Sequence, residues 1–167
     1  MMEAFIRHRL RPAQVAVGSA GVNGLEGESM HPFAAQALRE SGIHTAAFHA
    51  RQLRLEWVEQ ADLTLTAGRR HRDLLLDHLP DAFARLFTLR EFGWLVGQAS
   101  VSGLREVAAV ARVAHDQRRL ALSPMTSDID LADPIGGDLV AFRQCRDRVE
   151  ESVSLLARAL LDRGESV

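Results

Sequence analysis

Short β-prone runs alternate with helical patterns along this chain, and that alternation constrains the fold more than any other feature. Asp62-Leu63-Thr64-Leu65-Thr66 is compact and Thr-rich, and Arg85-Leu86-Phe87-Thr88-Leu89 is a second such run. Val15-Ala16-Val17 reads as a further, buried strand that ends at Ser19-Ala20-Gly21. Runs of only about four to six β-prone residues, alternating with helical stretches, imply a parallel sheet covered by helices on both faces. The expected fold class is therefore α/β, a three-layer α/β/α arrangement around a short parallel sheet.

The helical segments carry readable ends. A helix containing Ala4, Phe5, His8 and Arg9 stops near Pro12, because Pro cannot continue it. Ser29 is placed to cap a helix that starts at His31 with Pro32 in its first turn, and Gly42 closes it. Phe33, Ala34, Ala37 and Leu38 form its apolar face. Leu53 to Gln60 reads as a short helix, and Arg69 to His78 as one that ends before Pro80. Glu91 to Leu95 and Val101 to Leu120 are helical, and a long helix runs from Asp138 to near Leu161. Its stripe of Leu139, Phe142, Cys145, Val149, Val153, Leu156 and Leu160 repeats at threes and fours.

At 167 residues the chain is expected to form one domain, 1–167, with a substantial core. The stretch 97–127 is the most weakly patterned and is expected to be a variable insert. A net charge of -2 argues against nucleic acid or an anionic membrane as the main partner. All 20 basic residues are Arg. No apolar run approaches the ~18 residues of a membrane span, and the Arg-rich start lacks the apolar core of a signal peptide. One cysteine excludes an internal disulfide and fits a reducing compartment, so the expected location is the cytoplasm.

The isolated candidates for chemistry have plain structural readings. Cys145 lies on the apolar stripe of the last helix, and Glu151, not Arg, stands six positions on. It reads as a buried, inert thiol. Asp128, Asp130 and Asp133 lack the spacing of a calcium loop. The seven His residues offer no third ligand at convincing spacing, and His71 and Arg72 read as surface residues. No metal and no cofactor is expected.

Several landmarks occur in a fixed order: Ser19-Ala20-Gly21, His49-Ala50-Arg51-Gln52-Leu53, Ala61-Asp62-Leu63-Thr64-Leu65-Thr66, His71-Arg72, Arg90-Glu91-Phe92 and Asp133-Pro134-Ile135-Gly136-Gly137. Together they resemble the low-molecular-weight protein-tyrosine phosphatases from Ala4 to about Leu160. That resemblance implies a sheet of order 2-1-3-4 and a covalent phosphoryl transfer. In the family a thiolate in a Cys-x5-Arg loop attacks phosphorus, and loop amides with the Arg hold the phosphate oxygens. The Asp of the Asp-Pro loop, here Asp133, serves as general acid and then as base. Ser19, at the strand end, is implied to brace the catalytic loop, and Pro134 and Ile135 to border the substrate. Ile135 stands where the family usually has an aromatic residue that walls an aromatic substrate.

Met1-Met2-Glu3-Ala4 aligns with the opening of the helix that follows the catalytic loop, so the nucleophile and its Arg fall before residue 1. The first strand of the family is likewise missing, which leaves the Val15 strand without its central neighbour. Unpaired strand groups cost about 1–3 kcal/mol each against a net stability of roughly 5–15 kcal/mol. The expectation is thus a phosphatase domain shortened at its N-terminus by a misplaced start, inactive as given, whose family substrate is phosphotyrosine in proteins. The alternative is a non-catalytic pseudophosphatase that binds a protein partner over Gly21 to Met30 and Asp128 to Gly136. An arsenate reductase of the same fold needs the same N-terminal cysteine loop.

Overall fold

The computed structural model describes residues 1–13, 15–99, 104–120 and 129–161. Its helices are α1 (Met2–Arg9), α2 (Pro32–Glu40), α3 (Leu55–Gln60), α4 (Arg69–His78), α5 (Leu89–Gln98), α6 (Val107–Leu120) and α7 (Leu139–Leu161). Strands β1 (Thr64–Thr66) and β2 (Leu86–Thr88) pair in parallel, Leu65 opposite Phe87. Short 3-10 turns follow α1 at Arg11–Ala13 and precede β2 at Pro80–Arg85.

The two-residue period of β2 separates two cores. Leu86 points into a cluster with Val58, Leu75 and Ala82, contributed by α3, α4 and the Pro80–Arg85 turn. Phe87 points the other way, into a cluster with Phe92, Leu95, Val110, Leu156 and Leu160. Successive side chains of a strand face opposite sides, so this partition is the three-layer arrangement itself. α7 packs against α1, α2 and α5 on the second face, and its stripe residues Phe142, Val149, Val153, Leu156 and Leu160 are buried. Phe5 of α1 joins Leu38, Leu89, Val149 and Val153 in a cluster continuous with that layer.

Several element ends match the sequence reading, and four points correct it. Pro80 follows α4 as expected, and Gly42 adopts a left-handed φ of 73° just past α2. The α2 cap is His31, not Ser29: its Nδ1 accepts from the Phe33 amide at 3.2 Å. Residues Val15 to Val17 form no strand, and the three are half-buried or exposed rather than buried. A three-residue extended segment holds strand geometry only when a neighbouring backbone takes its N–H and C=O groups, and among the described residues no backbone does so; the Val17 carbonyl is met by the Arg7 side chain instead. Among the described residues the sheet is therefore two-stranded, with one further parallel bridge between Gly21 and Gln52. α5 starts earlier than expected because Thr88 and Glu91 form a capping box: the Glu91 amide donates to Thr88 Oγ1 at 3.2 Å, and the Thr88 amide donates to Glu91 Oε2 at 3.3 Å. α6 begins at Val107, with residues 104–106 non-helical and 101–103 outside the described residues.

α6 lies within the stretch read as a variable insert, other parts of which fall outside the described residues. Val110, Ala111 and Ala114 are buried against the core. Arg118 donates to Glu91 Oε1 at 2.9 Å and to the carbonyls of Phe83 and Leu86 at 3.0 Å each. Its guanidinium also lies 3.9 Å from the centroid of Phe87 and 4.7 Å from that of Phe83. Arg72 is no free surface residue: it approaches the other oxygen of Glu91 at 3.3 Å and is mostly covered. His71 is exposed, as expected.

Candidate active site

Glu3, in the first turn of α1, accepts two hydrogen bonds. One comes from Arg7 Nε at 2.7 Å, one turn on along the same helix face, and the other from the Ser19 hydroxyl. Arg7 also donates to the Val17 carbonyl. The Val15–Ala20 segment is thus held to α1 by side chains in place of a strand ladder. Partial burial pushes the Glu3 carboxyl up, but the bonds from Ser19 and Arg7 and the Arg51 charge outweigh it, so the net shift is downward.

Ser19-Ala20-Gly21 is braced from its other side by His49 to Leu53. Arg51 Nε donates to the Ser19 carbonyl at 3.1 Å. The Gly21 amide donates to the Arg51 carbonyl at 2.9 Å, and the Leu53 amide returns a bond to the Gly21 carbonyl at 2.9 Å. Gln52 Nε2 donates to the Val22 carbonyl at 2.9 Å; further along, the Gly27 amide donates to the Ala50 carbonyl at 2.9 Å and the Ala50 amide to the Glu28 carbonyl at 2.8 Å. Gly24 lies so close to this segment that a Cβ there would stand 2.4 Å from the Arg51 carbonyl oxygen. The His49-Ala50-Arg51-Gln52 motif therefore works here as lacing for the 19–28 loop.

The segment that carries Asp133 is anchored independently. The Arg69 amide donates to Asp130 Oδ1 at 2.6 Å, its guanidinium meets Oδ2 at 2.9 and 3.0 Å, and the Leu131 amide bonds the Ala67 carbonyl at 2.8 Å. The segment is thereby pinned to the turn that follows β1. The backbone bond from Arg69 leads the causes that lower the Asp130 carboxyl pKa. Asp133 is exposed, and its Oδ1 accepts from the Ile135 amide at 3.0 Å. Pro134 offers its carbonyl to the Gly137 amide at 3.0 Å. Asp138 then caps α7 by accepting from the Ala141 amide at 3.1 Å. The side chain of Ile135 stands 74% exposed at the tip. Asp128 lies outside the described residues.

The start of α1, Cys145 and Asp133 share one neighbourhood. Burial raises the Cys145 thiol pKa; the Met1 amino group opposes that shift and the Asp133 carboxylate adds to it. A thiol so placed is protonated at neutral pH, the opposite of an activated nucleophile. Met1, Met2 and Cys145 pack beside Phe5 and Val149. Among the described residues no hydrogen bond joins Ser19 to Asp133; the two belong to separately anchored loops. Glu3 and Arg7, which hold Ser19, were not singled out in the sequence, although an acidic residue four before an Arg is a visible helical pair. Among the described residues, no group of three His, Cys, Asp or Glu side chains is arranged to hold a metal ion.

The profile of the low molecular weight phosphotyrosine protein phosphatases matches residues 1–102. This chain belongs to that family. A protein-arginine-phosphatase from Geobacillus stearothermophilus is 30% identical over 160 residues, covering 96% of this chain and 86% of its own length. The solved structure of the YwlE arginine phosphatase from the same organism superposes with a TM-score of 0.68 at 29% identity, covering 95% of this chain and 82% of that one. The Erwinia amylovora tyrosine phosphatase amsI superposes with a TM-score of 0.69 at 19% identity, covering 96% and 83%, a likeness of fold. The phosphatase family accounts for the α/β layers and for the order of motifs along the chain. Among the described residues no helix is long and apolar enough to cross a membrane.

Proposed function

We propose that these 167 residues form the scaffold and acid loop of a protein phosphatase and do not by themselves hydrolyse phosphate esters. The observation that carries this is the state of the only cysteine. Cys145 sits half-buried on α7, its thiol pKa is raised by burial, and Glu151 occupies the place where a Cys-x5-Arg loop needs its Arg. No other sulfur in the chain can become an attacking thiolate.

With a Cys-x5-Arg loop joined ahead of α1, the remaining parts have assigned roles. The thiolate attacks phosphorus and the bond to the leaving atom breaks. Asp133 protonates the leaving atom, then takes a proton from the water that cleaves the cysteinyl phosphate. Ser19, fixed by Glu3 and Arg51, braces that loop from below. The substrate class is a phosphorylated protein side chain, and phosphoarginine is favoured over phosphotyrosine. Two observations support that choice: the relative at 30% identity is named a protein-arginine-phosphatase, and Ile135 puts an aliphatic side chain where an aromatic wall is usual.

The test compares two proteins on para-nitrophenyl phosphate and on phosphoarginine and phosphotyrosine peptides. The first is the 167-residue chain. The second carries, ahead of Met1, a β-strand followed by a Cys-x5-Arg-Ser-Pro loop of the family pattern. The first is expected to show background rates. The second is expected to turn over, with phosphoarginine preferred, and Asp133→Asn should lower that rate about 10²–10⁴-fold. Turnover by the unextended chain that Cys145→Ser abolishes would overturn the reading. So would a folded, extended protein that stays inert.

A second reading is a non-catalytic module that binds a protein over the 21–30 and 128–136 loops. It is supported by Leu25 and Ile135, large apolar side chains 73% and 74% exposed on those two loops. Partner binding that Leu25→Ser and Ile135→Ser abolish, in the absence of any turnover after extension, would favour it.

A further inference from the structure

Trp57 lies on α3 with two arginine guanidiniums against its ring. Arg51 is 5.4 Å and Arg54 5.6 Å from the ring centroid, both within cation–π range. The indole is 40% exposed, and Arg51 and Arg54 are exposed as well. A shallow open cavity of about 610 Å³ is lined by Arg54, Leu55, Glu56, Trp57 and Gln60.

These two arginines differ from seven others that are tied to carboxylates. Arg7, Arg9, Arg69, Arg72, Arg118, Arg143 and Arg146 each meet a carboxylate oxygen within 3.3 Å. Among the described residues, Arg54 and Arg51 meet none at ion-pair distance. Arg51 spends its Nε on the Ser19 carbonyl, and its Nη2 lies against Gly18. The Arg54 side chain makes no hydrogen bond among the described residues, so its planar fork is open to a carboxylate bidentately, while Arg51 adds its charge beside it. Contact with the indole ring limits where each guanidinium can lie, which lowers the ordering cost on binding.

The geometry points to Arg51, Trp57 and Arg54 as a ledge that takes acidic side chains of a bound protein segment. Glu56 lies on the same cavity and excludes a continuous run of negative charge at its own position. The partner's carboxylates must therefore fall on the Arg51–Arg54 side of the ring. Through Arg51 the ledge adjoins Ser19, so a protein held there lies alongside the Ser19–Gly21 loop. The assignment concerns binding alone and holds whether or not the chain turns over.

Trp57 is its own reporter. Titration of the 167-residue chain with a synthetic hexaglutamate peptide should produce a saturable change in tryptophan fluorescence. The change should vanish in Trp57→Phe, which retains Trp94, and weaken as salt rises. Arg54→Ala should weaken binding about threefold, the worth of one exposed ion pair, and Arg54→Glu by more. Arg54→Lys, which keeps the charge and loses the fork, should fall between wild type and Arg54→Ala. The Arg54 side chain is exposed and makes no hydrogen bond among the described residues, and its backbone bond from the Trp57 amide survives substitution, so circular dichroism of these variants should match wild type. A response absent from the wild-type chain, or unchanged in Arg54→Glu, overturns the ledge. An equal response to hexalysine also overturns it. An equal response to inorganic phosphate at the same concentration overturns the acidic-segment assignment in favour of a small-anion site.

Discussion

The hydroxyl of Ser19 donates a hydrogen bond to the carboxylate of Glu3, and this bond joins two segments that no strand pairing connects. Glu3 leads α1, and Ser19 ends the extended stretch that follows it. A bond to a charged acceptor contributes about 1.5–3 kcal/mol, more than a neutral one. Ser19→Ala should therefore destabilise the chain by about 1–2 kcal/mol, read by urea denaturation, and should let the Glu3 carboxyl pKa rise toward its ordinary value. The sign for pH follows from the depressed folded value. The Glu3 contribution is present above its unfolded pKa and is lost as pH falls through the folded one. A stability-versus-pH curve for Ser19→Ala should thus lie closest to wild type at the acid end.

The end of α2 is tied to α7 by a charge fork that should be visible in a titration. Arg143 Nε and Nη2 meet the two Glu40 oxygens at 2.8 and 2.6 Å, and Arg146 adds a bond at 3.2 Å. The Arg143 hydrogen bonds, opposed by desolvation and helped by the Arg143 and Arg146 charges and Gln36, bring the Glu40 carboxyl down to about 2. Carboxyl-detected NMR should place its midpoint there, and Arg143→Gln should return it toward 4.5. Because the folded value is depressed, the fork supports the fold at neutral pH and is released only as pH falls toward 2.

Arg118 and Glu91 hold α6 to the sheet layer, and removing Arg118 leaves Glu91 Oε1 without its partner in a covered site while Arg72 and the Thr88 amide keep Oε2. The Arg118 and Glu91 side chains are only 14% and 13% exposed. Arg118→Met should cost about 3 kcal/mol, the lower end for breaking a buried pair. Hydrogen exchange should accelerate over Val107–Leu120 before it does so over α7. Equal protection of α6 in variant and wild type would contradict this account.

Gly24 tests the lacing of the 19–28 loop. A Cβ there meets the Arg51 carbonyl oxygen at 2.4 Å and its carbon at 2.8 Å, both backbone atoms. Gly24→Ala should therefore push the loop off the 49–53 segment, with a loss of about 1–3 kcal/mol. The amide of Gly21, bonded to the Arg51 carbonyl, should lose exchange protection. Gly27→Ala, where the new Cβ meets nothing, separates this clash from the strain of a left-handed φ of 84°.

Much of the scaffold was legible because local signals coincide with tertiary demand. Arg69 to His78 and the long final helix fell where periodicity and Pro80 put them, and Leu86 and Phe87 sorted to opposite faces as a two-residue period requires. The His31 cap and the Thr88–Glu91 capping box were harder to read. The first depends on which of several polar side chains reaches the Phe33 amide, and the second begins inside a β-prone run. Of the site, Ser19, Asp133, Pro134 and Ile135 were visible as motif positions, whereas Glu3, Arg7, Asp130 and Arg51 were not given their holding roles. Each of those ties a side chain to a group far along the chain or to a backbone atom, and no spacing rule reports such a pair.

The order of residues alone determined the layered α/β class and the family, because apolar period, turn chemistry and residue type are local properties. Only the folded chain decided that Val15 to Val17 would be held by Arg7 and Glu3 instead of by a ladder. A strand is a property of two segments at once, and whether the second is present at the right distance is settled in three dimensions.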